Sequence, residues 1–377
     1  MEESQNGGPR RQRRETAYQT WKQGEGIPEH QGSYVQDLHT AEVASWPRMG
    51  QRGAFVSLSD QVRADCYLLE IAAGGETTVQ HHLFEASLYV LHGRGATSFW
   101  QTPGGPKQTV EWERGSVFSP PLNCYYQHFN LDGQQPARIF ALTNAPVLIN
   151  LFRNPDFVFG DGYVFADRYG QQEDYFSDPG KRLGWRQYRT NFIPDIRAFK
   201  LDDYSQRGAG GTNMHFALAN NSMGGFVSEF PPATYKMAHR HGHGPHVTLL
   251  DGQGYSLFWY PGEEPRRVDW KDGTIMVPQS MEFHQHFNTG ATNARYLVFS
   301  GGGGGENVRE GDRELIATAI SVREGGDQIP YEYEDPWIYE LFAEECANNG
   351  ATAKLPRPQY AGAPVPEGPR LASPTPR

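Results

Sequence analysis

The chain contains an internal repeat, and this repeat limits its possible folds more than any other feature. The segment "HGRGATSFWQTPGGPKQTVEWERGSVFSPPLNCYYQHFN" begins at His92, and "DGQGYSLFWYPGEEPRRVDWKDGTIMVPQSMEFHQHFN" begins at Asp251. Both share a G-x-G turn, a Phe-Trp pair, a short V-x-W strand and a final Q-H-F-N. His128 and His286 lie 158 residues apart, so the copies keep register over their length. The sequence therefore predicts two copies of one structural unit.

Each copy is predicted to be all-β. Short strand-like runs alternate with Gly, Pro and Asp turns, which is typical of a sandwich or barrel. The chain has 43 glycines and 27 prolines among 377 residues, and an aromatic share of 13% indicates a substantial core. This composition fits a turn-rich β protein better than a helical one.

The repeat and the shifts in composition divide the chain into five predicted segments. They are an N-terminal arm and lead-in, partly disordered (1–50), a first barrel (51–150), an ordered linker with short helices that wraps the barrels (151–210), a second barrel (211–322), and a C-terminal segment with a disordered Pro/Ala-rich tail (323–377). "SGGGGGENVREGDR", from Ser300 to Arg313, is predicted to be a flexible loop.

Charge and composition exclude several classes of function. The formal charge of −10 argues against a nucleic-acid surface, which requires a basic stripe, and the isolated "RRQRR" is typical of a disordered arm. No apolar run reaches the ~18–20 residues of a membrane helix, and no apolar segment follows the basic N-terminus as in a secretory signal. Three cysteines without metal spacing indicate reduced thiols. We expect a cytoplasmic protein with no membrane partner.

Histidines in the second copy have the spacing of a metal site. His239 and His241 are two apart, so on a strand both point to the same face. His284 lies eleven residues after Gly273, and Asn288 follows four residues later. Three neutral imidazoles suit Fe, Zn, Cu or Ni, and a set of three leaves coordination positions open for a substrate. The sequence therefore predicts a metal site formed by His239, His241 and His284.

The same frame of glycines and histidines resembles the cupin signature, over about 80–130 and 232–288. This resemblance to a bicupin implies two double-stranded β-helix, or jelly-roll, barrels with a metal or ligand site in each. A standard cupin has a glutamate four or five residues after the second histidine, where this chain has Pro245 and His246. With three histidines and no acid, the second barrel resembles gentisate 1,2-dioxygenase-like ring-cleaving dioxygenases.

That resemblance implies an enzyme and a cofactor. The implied enzyme is a non-haem Fe(II) dioxygenase that uses O2 to cleave a hydroxylated, gentisate-like aromatic or a similar bidentate substrate, in aromatic compound catabolism. Mn, Zn and Ni remain alternatives to iron. A metal-dependent decarboxylase, lyase or isomerase acting on a small carboxylate is the second hypothesis, and a non-enzymatic ligand-binding bicupin is the third. Bicupins of this kind are commonly dimers or tetramers, so the resemblance also implies a homo-oligomer.

Other residues near the predicted site have two interpretations each. His286 shares the strand parity of His284 and is either a general acid–base or a residue that orients the ligand. Tyr235 shares the parity of His239 and either lines the pocket or fills the barrel. His246 is a possible fourth ligand, His243 is predicted to lie in a solvated loop, and Glu282 is either a base or a charge at the rim.

The first barrel is predicted to have lost its metal. At the positions of the three histidines it has Gln80, His82 and Tyr126, so one of three ligands remains. An alternative site of His82, Glu85 and His128 stays open. The favoured interpretation is a structural barrel that shapes the active site or a subunit contact.

Overall fold

The computed structural model describes residues 15–59, 63–242, 244–300 and 318–370. Strands dominate this part of the chain. Its α-helices are α1 (Ala17–Gly24), α2 (Ala145–Phe152), α3 (Pro155–Gly160) and α4 (Pro336–Asn348). None of the helices in these ranges has the length and apolar character needed to cross a membrane.

The first half of the chain forms two facing sheets. Its strands are β1 (Glu29–Gln31), β2 (Tyr34–Val35), β3 (Ala44–Trp46), β4 (Gln51–Ser57), β5 (Asp65–Ile71), β6 (Ala86–His92), β7 (Arg94–Trp100), β8 (Gln108–Glu113), β9 (Val117–Phe118), β10 (Tyr125–Asn130) and β11 (Ala137–Thr143). One sheet has the order β1-β4-β5-β11-β6-β9, and the other has the order β10-β7-β8.

The segment predicted to link the barrels joins the sheets of both. After α3 it contributes β12 (Lys181–Gly184), β13 (Gln187–Thr190), β14 (Phe192–Ile193) and β15 (Asp202–Asp203). β14 pairs with β9 of the first barrel, whereas β13 pairs in parallel with the first long strand of the second barrel. Because these strands cover sheet edges, the segment is a structural part of both units.

The second half repeats the arrangement of the first. Its strands are β16 (Thr212–Leu218), β17 (Gly224–Phe230), β18 (Thr234–Tyr235), β19 (Ala238–His239), β20 (His246–Asp251), β21 (Gly254–Trp259), β22 (Arg266–Trp270), β23 (Ile275–Met276), β24 (Phe283–Asn288), β25 (Ala294–Ser300) and β26 (Gln328–Ile329). One sheet has the order β13-β16-β17-β25-β20-β23, and the other has the order β22-β21-β24-β19-β26.

The strand orders of the two halves correspond one to one. β5-β11-β6-β9 matches β17-β25-β20-β23, and β10-β7-β8 matches β24-β21-β22. Two antiparallel sheets connected in this way form a jelly roll. The predicted all-β fold with two jelly-roll barrels is confirmed.

Three apolar clusters hold the barrels together. The interior of the first barrel contains Leu69, Phe99 and Trp112, and that of the second contains Phe230, Phe258 and Trp270. A third cluster lies between the barrels, where Phe140 of β11 stacks on Phe299 of β25 at a ring-centroid distance of 6.4 Å. Each central sheet therefore buries both faces, which explains its continuous apolar runs.

The described segments that flank the two repeats are tied to the barrels. β1 pairs with β4 of the first barrel, and β2 pairs with β23 of the second. Beyond α4, Leu355 and Val365 pack in an apolar cluster on the outer face of the β21–β24 sheet. The prediction of a disordered tail is therefore wrong for 351–370, since its apolar residues cover that face. The tail from 371, most of the glycine loop and the basic arm lie outside the described residues.

Candidate metal centre

Three histidines of the second barrel meet as predicted. His239 on β19 lies directly opposite His284 on β24, and His241 follows two residues after His239. One ring nitrogen from each lies within 4.8 Å of the others. The ring centroids of His239 and His284 are 4.2 Å apart, and those of His241 and His284 are 4.8 Å apart. Within the described ranges, no acidic residue belongs to this group.

Burial and backbone contacts prepare these rings to bind a metal. Burial is the largest cause that holds the pKa of His239 and of His284 well below the usual value. It is followed by Arg207 for His239 and by the neighbouring His241 for His284, so both rings are neutral. Nδ1 of His284 lies 3.2 Å from the carbonyl oxygen of Glu282, and Nδ1 of His241 lies 3.2 Å from that of Gly242. A carbonyl only accepts, so each Nδ1 carries a hydrogen and each Nε2 keeps its lone pair for a ligand bond.

The donor set fits a divalent transition metal. Two imidazole nitrogens on one ion lie at most about 4.2 Å apart, because each metal–nitrogen bond is about 2.1 Å long. The three rings therefore need only a small movement to share an ion. Nδ1 of His239 is buried without a hydrogen-bond partner among the described residues, which is costly unless the site supplies one. His239, His241 and His284 are the residues that would hold the metal.

His286 lies in the same interior and is held by Ser256. Its Nδ1 is 2.7 Å from Ser256 Oγ, and the indole N–H of Trp270 donates to that same oxygen at 2.9 Å. Ser256 Oγ accepts from Trp270 and can donate its one hydroxyl hydrogen to Nδ1. Burial lowers the pKa of His286 to about 3, so the ring is neutral, and with Ser256 donating to Nδ1 its hydrogen is on Nε2. His286 therefore offers a hydrogen-bond donor and does not hold His284, whose Nδ1 contacts a carbonyl.

Tyr235 does not line this site, and the prediction from strand parity is wrong. Tyr235 pairs with Phe287, whereas His239 pairs with His284, so four steps along one strand match three along the other. This extra residue is a β-bulge, which reverses the alternation of faces. The Tyr235 ring stacks on Phe287 at 5.0 Å on the outer side, and its hydroxyl donates to Glu334.

The bulge turns Lys236 into the barrel in place of Tyr235. Its backbone N–H donates to the carbonyl of His286 at 3.0 Å, and the residue is only 3% exposed. Its Nζ donates to Ser228 Oγ at 2.8 Å and to the hydroxyl of Tyr296 at 2.9 Å. Lys236 was not among the residues predicted from the sequence, although a lysine within a predicted barrel strand was a signal that could have identified it.

A second buried cation, Arg207, lies near the three histidines. It is 9% exposed, and its charge is the largest cause after burial of the low pKa of His239. Nη1 donates to Gln328 Oε1 at 3.1 Å and to the carbonyl of Thr318. Within the described residues, the hydrogen-bond partners found for Arg207 and Lys236 are neutral oxygens. No sequence pattern marks Arg207, which precedes β16 in a short turn.

His246 does not reach the metal group, so the possible fourth ligand is a wrong prediction. It pairs with Phe299, which belongs to the cluster between the barrels, while its neighbour Val247 joins the interior cluster. Since successive residues of a strand face opposite sides, the imidazole of His246 points out of the barrel. Glu282 is buried and accepts from Arg266 at 3.3 Å, in agreement with a charge at the rim. His243 lies outside the described residues.

The first barrel has the same backbone arrangement without the ligands. Gln80 bridges to Tyr126 as His239 pairs with His284, so the alignment of the copies is correct. The hydroxyl of Tyr126 lies 2.8 Å from Nε2 of His82, in the place of a metal.

The alternative site of His82, Glu85 and His128 is not assembled. Glu85 accepts from the backbone N–H and hydroxyl of Ser222, in the second half of the chain. His128 instead contacts Thr97 through Nδ1 at 2.7 Å. The first barrel therefore has no group of three metal ligands among the residues described there.

Comparisons with known proteins give similar architectures but no relative in sequence. No protein-family model matches the chain, and no curated protein matches it. Among solved structures, oxalate decarboxylase from Lactobacillus farciminis in complex with formate is 10% identical with a TM-score of 0.48, covering 72% of this chain and 86% of that one. A mutant of Bacillus subtilis oxalate decarboxylase is 10% identical with a TM-score of 0.47, covering 72% of this chain and 77% of that one. At this level of similarity the function must be inferred from the site itself.

Proposed function

We propose that the protein is a metal-dependent enzyme whose second barrel acts on a small carboxylate. The observation that carries this proposal is the charge of the site. His239, His241 and His284 are grouped without an acidic ligand, and two buried cations, Arg207 and Lys236, lie in the same region.

The charge of the occupied site favours an anion. A divalent ion held by three neutral imidazoles keeps its full charge, and buried charge is unfavourable unless it is paired. A neutral substrate would leave this charge uncompensated, whereas a carboxylate compensates it and can bind the metal through oxygen. When bound, the metal would supply a Lewis acid that polarises a substrate oxygen.

The protein's own residues have separate tasks in this proposal. The backbone carbonyls of Glu282 and Gly242 fix the orientation of two ligand rings. His286, held by Ser256, presents Nε2–H as a hydrogen-bond donor to a bound anion. Positioned donors that match developing negative charge are a major source of catalysis in enclosed sites.

A reaction that does not require O2, namely decarboxylation, elimination or isomerisation, is the favoured chemistry. Large side chains fill the barrel around the histidines. Phe258 lies 6.4 Å from His284 between ring centroids, and Tyr296 lies 5.5 Å from His286. A small carboxylate suits this interior better than a substituted aromatic ring does.

Ring cleavage by an Fe(II) dioxygenase remains the second candidate. It is favoured by the all-histidine group, because three protein ligands leave positions for a bidentate substrate and for O2. The non-enzymatic alternative predicts metal or ligand binding without turnover.

The test combines metal content with a substrate screen. We expect about one metal ion per chain in protein purified without oxygen, lost in His239→Ala and in His241→Ala. It should be retained in His82→Ala, because His82 is the first-barrel residue that matches His241. Metal-loaded protein is then incubated with small carboxylates and hydroxylated aromatic acids while O2 uptake and products are measured. Turnover without O2 uptake supports the proposal, substrate-dependent O2 uptake shifts it to the dioxygenase, and bound metal without any turnover favours a binding protein.

A further inference from the structure

The interior of the second barrel contains a donor cluster that the metal does not use. Lys236, Ser228 and Tyr296 lie together there, joined by hydrogen bonds of 2.8 and 2.9 Å from Nζ to the two hydroxyl oxygens. Lys236 is 3% exposed and Ser228 is 1% exposed. Such a cation is costly to bury without a counter-charge.

This cluster has more hydrogen-bond donors than acceptors. An ammonium group has three N–H donors, and two of them are used by Ser228 and Tyr296. Ser228 donates its own hydroxyl hydrogen to the carbonyl of Thr212 at 3.0 Å. Nζ also lies 5.0 Å from the ring centroids of Phe230 and Tyr296. The third N–H of Lys236 and the hydroxyl hydrogen of Tyr296 have no oxygen or nitrogen acceptor found within the described residues. A group with several acceptor oxygens would satisfy both.

The first barrel serves as an internal control for this cluster. The N–H of Thr77 donates to the carbonyl of His128, as the N–H of Lys236 donates to that of His286, so Thr77 occupies the position of Lys236. In the matched strands, Leu69 lies opposite Ile139 where Ser228 lies opposite Tyr296.

The contrast between the barrels links the cluster to the metal group. The barrel that keeps only one of the three histidines also lacks the lysine, the serine hydroxyl and the tyrosine hydroxyl, and it has Leu69 and Ile139 at two of these positions. By contrast, both barrels contain a hydroxyl that is hydrogen-bonded to a histidine and to a tryptophan. The hydroxyl belongs to Thr97, beside His128 and Trp112, in the first barrel and to Ser256 in the second. A purely structural role would be expected to persist in both copies, as that arrangement does.

We propose that Lys236 and Tyr296 bind a second anionic group of the substrate, so that the substrate is a short dicarboxylate or a similar small dianion. This inference rests on the proposed function, because the first anionic group would bind the metal held by His239, His241 and His284. The ring of His286 lies between the two ends, 5.5 Å from the ring of His284 and 5.5 Å from that of Tyr296. The substrate therefore spans one imidazole, which limits it to a few carbons.

The test compares acids that differ only in the second carboxylate. Dissociation constants of succinate and butyrate, and of malonate and propionate, are measured by calorimetry on metal-loaded protein. We expect the wild type to bind each dicarboxylate at least roughly tenfold more tightly than its partner, because a hydrogen-bonded charge pair is strong when desolvated. Lys236→Met should remove this preference while retaining metal content and affinity for the monocarboxylates, and Tyr296→Phe should reduce it several-fold.

Controls separate this inference from loss of fold and from the proposed function. Lys271→Met, on a lysine whose side chain is 62% exposed, should leave the preference unchanged. If Lys236→Met does not fold, Tyr296→Phe, which keeps the aromatic ring, decides the question. A wild type that holds metal and monocarboxylates but shows no dicarboxylate preference, or a preference that survives in the variants, overturns the inference alone. Failure to hold metal overturns the proposed function. In that case, succinate binding by the wild type that is weaker in Lys236→Met would still support the role of Lys236. The absence of such binding would overturn this inference as well.

Discussion

At the scale of single residues, the environment of Glu334 raises the pKa of its carboxyl group far above the usual value. It is 2% exposed, accepts from the hydroxyl of Tyr235, and accepts from Gln285 Nε2 at 3.1 Å. Burial raises its pKa to about 8, an effect that these two hydrogen bonds only partly offset. Tyr235 and Gln285 lie on the outer face of the strands that hold His239 and His284. By accepting from both residues, Glu334 links the two strands at the back of the metal-binding sheet.

The raised pKa of Glu334 predicts a pH dependence of stability. The folded protein keeps a proton on Glu334 that the unfolded chain releases near pH 4.5. The stabilising contribution of this group is therefore full below that pH and is lost as the pH rises to about 8. The slope from this one group approaches about 1.4 kcal/mol per pH unit. Glu334→Gln mimics the protonated acid, so its melting temperature should fall less between pH 5 and pH 8 than that of the wild type, by roughly 4 °C or more. An equal fall in melting temperature between pH 5 and pH 8 in the two proteins would contradict this.

At the scale of elements, α4 shows how a helix completes the barrel. Asp335 caps its N-terminus by accepting from the N–H of Trp337 at 3.3 Å. Phe342 on its buried face lies 4.7 Å from the ring of Tyr235 and 6.3 Å from that of Phe287. The bulge that turns Lys236 inward also leaves Tyr235 on the outer face, where α4 covers it. The helix and the bulge are therefore parts of one arrangement.

Shortening the buried side chain at the centre of α4 should lower the stability of the second barrel. Phe342 is fully buried, so Phe342→Ala should lower the free energy of unfolding by roughly 3–4 kcal/mol through lost burial and the cavity left behind. Glu344→Ala, on the exposed side of the same helix, is the control and should change it by less than about 0.5 kcal/mol. Urea denaturation followed by tryptophan fluorescence measures both. Equal, small effects in the two variants would mean that α4 is not part of the cooperative fold.

At the scale of the whole molecule, two similar barrels have different interiors. The sheets pair in the same order, yet only the second barrel brings together three histidines, a lysine and a tyrosine hydroxyl among the described residues. The barrels share one apolar cluster, and residues of each half contact the other, as Glu85 contacts Ser222. The first barrel therefore supports the second, while in its own site Tyr126 contacts His82 where the second barrel has His284 beside His241.

Restoring the missing ligands should create a second metal site. Gln80→His combined with Tyr126→His would place three imidazoles on a backbone that already pairs as β19 pairs with β24. We expect the metal content to rise from about one to about two ions per chain, as measured by mass spectrometry of the dialysed protein. Adding His239→Ala to this variant should return it to one ion. A content that stays at one in the double variant would show that the interior of the first barrel cannot admit an ion.

The sequence by itself determined the repeat, the all-β class and the three candidate ligands, since these depend on local periodicity and on the offset between two copies. Only the tertiary structure decided which faces of the strands point inward. A one-residue bulge reversed the expectation for Tyr235 and brought in Lys236, and the packing of the barrels turned His246 outward. Likewise, the Pro/Ala-rich segment is ordered up to 370 because its apolar residues pack on the apolar outer face of the second barrel. Such outcomes depend on pairing between residues distant in sequence, so no local pattern contains them.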